Sequence, residues 1–90
     1  MEMRQWALQV LAREGLGQWT VRPGEAYCWL QERAITFDFD RNTGNWALFL
    51  HEVAHALYPQ PEGPRQNHYH GGQWAAKFGE LVNRYMTPKV

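Results

Sequence analysis

Ninety residues, 44% of them hydrophobic and 14% aromatic, suffice for one small domain with a compact core and are too apolar for a disordered tail. A single domain over residues 1–90 is therefore expected. Nine Lys and Arg balance nine Asp and Glu, which gives no electrostatic reason to expect nucleic-acid or anionic-membrane partners.

The first 14 residues place Met3, Trp6, Ala7, Val10 and Leu11 at helical spacing, and Gly15 and Gly17 follow as stop signals. This predicts an amphipathic helix over residues 2–14. Three β-rich stretches come next, at residues 18–22, 26–31 and 34–40. In the last, Ile35, Phe37 and Phe39 alternate with Thr36, Asp38 and Asp40, the pattern of a strand with one buried face. Pro23-Gly24 reads as a turn, and Glu32-Arg33 as a tight hairpin connection that suits only moderately, because neither residue favours positive φ. A three-stranded antiparallel sheet is expected. Cys28 should be a buried strand residue, and Asp38 and Asp40 the strand's solvent face, with a second option of orienting a ligand histidine.

Capping residues at 42–45 precede an apolar stripe of Trp46, Phe49, Leu50, Val53 and Leu57, which predicts a central helix ended by Pro59. Its longest apolar run, residues 46–50, falls far short of the roughly 20 residues of a membrane span. Residues 60–68, with Pro61, Gly63 and Pro64, read as a surface loop. Trp74, Phe78, Leu81 and Tyr85 then mark a last helix from about Gly71. Three helices and one small sheet make an α+β fold. The five tryptophans are spread over all the expected elements but the third strand, as core residues would be. The N-terminal pentad has no basic flank followed by an apolar stretch, and the lone Cys28 excludes an intrachain disulfide. Both point to a cytoplasmic setting.

The chemistry concentrates in His51-Glu52-Val53-Ala54-His55. Four residues advance an α-helix by about 400°, so both imidazoles leave the same side of the predicted central helix, one turn apart. That is the spacing for two nitrogen ligands of one Zn²⁺. Glu52, about 100° further round, stands beside the metal as a general base for an activated water. With four His and seven Glu, the pattern arises by accident in roughly one such chain in a hundred. The bland alternative is a helix with two packed or solvated histidines.

A catalytic zinc usually takes a third protein ligand and keeps one position open. The candidates are His70, His68 and Glu80. His70 is favoured because Gly71 and Gly72 let the chain turn tightly and aim it back at the helix. The longer pattern with Gly and His at the seventh and tenth positions after Glu52's neighbour His51 is absent, since Tyr58 and Pro61 occupy those places. Tyr58, Tyr69, His68 and Arg65 are candidates for stabilising an oxyanion or supporting a ligand.

His51-Glu52-Val53-Ala54-His55-Ala56-Leu57, a Pro-rich loop, and His70-Gly71-Gly72-Gln73-Trp74 together resemble the SprT-like group of small zincin metallopeptidases. The resemblance covers residues 15–85, specific at the two histidine motifs and loose elsewhere. It implies a zincin-like core with one Zn²⁺ on His51, His55 and His70, and Glu52 as base. Larger members act on DNA-bound protein, but this chain has neither a Cys-rich zinc ribbon nor a basic tail, so that role is not carried over. The expected function is zinc-dependent hydrolysis of a peptide or protein substrate, held by an edge of the sheet through main-chain pairing. The alternatives are a zinc-stabilised binding or regulatory module and an inactive protease-like domain.

Overall fold

The computed structural model describes residues 2–57 and 71–86. Helix α1 (Met3–Arg13) buries Met3, Ala7, Val10 and Leu11, four of the five residues whose spacing predicted it. Its end is closed by glycine. Gly15 adopts φ 81°, its N–H donates to the Ala12 carbonyl at 3.3 Å, and the Leu16 N–H donates to the Leu11 carbonyl at 2.7 Å. These two bonds form a Schellman motif, whose left-handed residue glycine adopts without a Cβ clash.

The sheet comprises β1 (Thr20–Arg22), β2 (Tyr27–Trp29) and β3 (Ala34–Thr36) in the order β1-β3-β2. It is mixed, which corrects the antiparallel expectation. Strands β2 and β3 pair antiparallel, with Cys28 opposite Ile35, but β1 pairs with β3 in parallel, Val21 opposite Ile35. The reason lies in residues 23–26, which do not close a hairpin. They cross over the end of β3 instead. Gly24, at φ 148°, lies so close to Thr36 that a Cβ there would sit 3.3 Å from the Thr36 Cβ. The Thr36 hydroxyl donates to the Glu25 carbonyl at 2.5 Å and accepts from the Trp29 indole at 3.0 Å. Thr36 thus fastens the crossover to β3 and delivers the chain to the far edge.

The β2–β3 connection is a tight turn in which the Arg33 N–H donates to the Leu30 carbonyl. It places Arg33 at φ 51°, a conformation unfavourable for a residue with a Cβ. Strand β3 is shorter than its alternation suggested, because the Asp38 carboxylate accepts the Arg41 N–H at 3.0 Å and bends the chain into turns. Ile35 and Phe37 still share the buried face.

Helix α2 (Trp46–Leu57) starts where the Asn45 side chain accepts the Leu48 N–H at 3.2 Å, an N-cap that satisfies one of the first-turn donors. It packs against β2, α1 and the last helix, α3 (Gly72–Met86). Phe49, Leu50, Val53 and Ala54 of α2 are fully buried and join α1, Ile35 of β3, Phe37 just after it, and Trp74 and Leu81 in one core. The tryptophans divide. Trp74 is buried and Trp6, Trp19 and Trp46 pack partly against the core, but Trp29 is 42% exposed, because it lies on the sheet face opposite Cys28. Among the described residues, no helix is long and apolar enough to cross a membrane.

Candidate metal centre

The central position of α2 decides the environment of its polar residues. A helix covered on three sides buries more than one stripe, so the histidine-bearing side is enclosed along with the apolar one. Among the described residues, Glu52 (6% exposed) and His55 (1%) are the buried polar or charged ones. The His51 side chain is 30% exposed.

One helical turn brings the two imidazoles together as the spacing required. His51 Nε2 and His55 Nε2 lie 3.2 Å apart. Two nitrogens each about 2.0–2.1 Å from one tetrahedral zinc stand about 3.3–3.4 Å from each other. The separation of the ring nitrogens is thus close to that of a chelating pair. The same separation is within hydrogen-bond range, with one ring carrying the Nε2 proton.

The carboxylate of Glu52 comes to 3.9 Å from His51 Nε2, beside the point on which the imidazoles converge. Burial pushes its pKa up to about 7, because removal from water disfavours the charged form. Across the helix–sheet contact lies Cys28, fully buried. Burial, with a smaller contribution from the Glu52 charge, pushes its thiol up to about 12. A thiol so hard to ionise is a poor nucleophile and a poor ligand at neutral pH, as expected for a packed strand residue.

The wall behind the imidazoles comes from α3. The Trp74 ring stacks on His55 with centroids 5.2 Å apart and an interplanar angle of 29°, and meets His51 edge-on at 4.9 Å. Phe78, one turn on, stacks on Trp74 at 5.2 Å and 14° and reaches His51 at 5.9 Å. Helical periodicity had marked Trp74 and Phe78 only as an apolar stripe. That periodicity carries no signal for their contact with the histidines.

Of the third-ligand candidates, Glu80 occupies a different side of α3. It lies two residues beyond Phe78, about 200° around the helix, and its carboxylate is engaged by Lys77 and Arg84, at 2.8 Å each. His70 and His68, together with Tyr58, Tyr69 and Arg65, lie outside the described residues. Among the described residues, no three His, Cys, Asp or Glu side chains converge as a metal site. The Asp38 carboxylate is turned to the Arg41 backbone, and Asp40 is exposed. Comparison with protein-family models, curated proteins and solved structures found no match.

Proposed function

We propose that this chain is a minimal zinc-dependent metallopeptidase with a zincin-like core, in which His51, His55 and His70 hold one Zn²⁺ and Glu52 is the general base. The observation that carries the reading is the 3.2 Å convergence of two Nε2 atoms beside a nearly buried carboxylate. The donor set suits zinc: two neutral imidazoles from one helix, with a third from a glycine-flanked histidine downstream. A bound zinc supplies Lewis acidity, polarising a scissile carbonyl and acidifying water.

The chain's own residues do the rest. Glu52 takes the proton of the attacking water on its carboxylate and passes it to the leaving amine. Its burial makes it more basic than an exposed glutamate, while a cation beside it favours its ionised form. An edge of the small sheet, which packs on α2 through β2, would hold an extended peptide substrate by main-chain pairing.

The test is zinc content and peptide turnover of the full chain, with Glu52→Gln and His70→Ala alongside. Glu52→Gln should keep one equivalent of zinc and lose at least about a hundredfold in turnover, the size of a general-base contribution. His70→Ala should lose both metal and activity. A wild-type protein that binds no zinc overturns the reading. One that holds zinc but cleaves no peptide leaves the zinc-stabilised module in its place.

A further inference from the structure

The two histidines of α2 have a counterpart four residues apart on α3, and this pairing carries an inference about how the ligands are held. A histidine side chain does not select its own ring plane, since its second torsion is broad and roughly two-fold. Two such rings converge on one point only if their surroundings fix both planes. Here Trp74 lies over one face of His55 and against the edge of His51. Phe78 backs Trp74 face to face and closes on His51. Trp74 is itself buried, so rotation of either imidazole towards it meets a ring that is already packed.

We propose that Trp74, with Phe78 behind it, is a positioning residue for the metal pair: it locks the planes of His51 and His55 so that both Nε2 atoms address one ion before the ion arrives. This rests on the reading of His51 and His55 as ligands. A hydrogen bond to the second ring nitrogen is a common way to orient such a ligand; the aromatic face of α3 restricts each ring as a whole. The device also ties the position of α3 to metal affinity, because any displacement of that helix loosens both rings at once.

The experiment titrates the metal-stripped full-length chain with Zn²⁺ by calorimetry and with Co²⁺ by visible absorption, comparing wild type, Trp74→Phe, Trp74→Leu and Phe78→Leu. Wild type should take up one equivalent. Trp74→Leu should bind about 10- to 100-fold more weakly, the usual effect of removing a group that orients a ligand, and its Co²⁺ bands should shift and weaken. Trp74→Phe, which keeps an aromatic face, should stay within a few-fold of wild type.

A Trp74→Leu protein with wild-type affinity and an unaltered Co²⁺ spectrum overturns the proposal, even if its melting temperature falls, and leaves Trp74 as a core residue. Should Trp74→Leu fail to fold, judged by circular dichroism, Phe78→Leu decides. Affinity lowered several-fold in a folded protein supports the proposal, and unchanged affinity overturns it. Failure of wild type to bind either metal refutes the assignment of the ligands themselves, a result distinct from all of these.

Discussion

Glu14, at the end of the first helix, is tied to Lys77, Arg84 and Tyr85 of the last, and its removal gives a stability change that can be worked out in advance. It follows α1, where a negative charge is unfavourable against the helix dipole, and cations of α3 offset it. Its side chain is 5% exposed and lies 3.7 Å from Lys77 Nζ. The same Oε2 accepts the Arg84 guanidinium at 2.5 Å and the Tyr85 hydroxyl at 2.6 Å. Burial alone would raise the Glu14 pKa, but the bonds from Tyr85 and Arg84 and the nearby positive charges hold it below the ordinary carboxylate value.

Arg84 is largely exposed, so its share is small. The Tyr85 bond to a charged acceptor is worth about 1.5–3 kcal/mol, and a glutamine in its place recovers part of that. Glu14→Gln should therefore cost about 1–2 kcal/mol, or about 5–15 °C in melting temperature for a domain of this size. The pH dependence fixes the sign. A carboxylate with a lowered native pKa contributes its full stabilisation above the unfolded value, and loses it as pH falls through the native one. The gap between wild type and Glu14→Gln should be full at pH 7, begin to narrow below about pH 4.5 and close in stronger acid. Thermal melts of the two proteins between pH 7 and pH 3 measure it. Equal melting temperatures at pH 7, or a gap that stays constant down to pH 3, would refute the reasoning.

Two glycines should respond in opposite directions. Gly15→Ala forces a Cβ into φ 81° and should destabilise by about 1 kcal/mol, whereas Gly79→Ala, within α3 and with nothing within 4 Å of the added Cβ, should stabilise by about 0.5–1 kcal/mol. Urea denaturation of the pair checks both signs. Cys28, buried and raised to about 12, should react with a thiol reagent at pH 8 only as fast as the protein unfolds. Labelling at the rate of a free thiol in the native protein would contradict that placement.

Where local periodicity and tertiary packing agreed, the sequence was a sufficient guide. The α1 stripe, its glycine stop, the Asn45 cap and the one-turn pairing of His51 with His55 all follow from interactions within about five residues. The sheet did not follow in the same way. The parallel pairing of β1 with β3 depends on Thr36 gripping the crossover, a contact between residues 25 and 36 that no strand pattern encodes. Arg33 at positive φ shows the sheet overriding a local preference that had counted against a turn there. At the candidate site, the two histidines and Glu52 were legible because they share one helix. The aromatic wall was not, since Trp74 and Phe78 carry the same periodicity whether they face an apolar core or a pair of imidazoles.

The burial of Glu52 and His55 is itself informative about what this fold is organised around. In a core as small as this one the margin of stability is narrow, and ionisable groups withdrawn from water reduce it. Yet among the described residues the polar or charged groups enclosed in the core are two members of the same five-residue motif. Elsewhere among the described residues such groups lie at or near the surface or, as with Glu14, are surrounded by partners. Two buried ionisable groups at the place where two donor nitrogens approach each other are the pattern expected of a site kept for its chemistry. Under the proposed reading the cost has a physical counterweight, because a divalent cation on the imidazoles stabilises the ionised carboxylate beside it. Metal uptake and stability should then be linked, and saturating zinc should raise the melting temperature. The gain should disappear when His55 is replaced by alanine, and an equal gain in that variant would locate the zinc elsewhere.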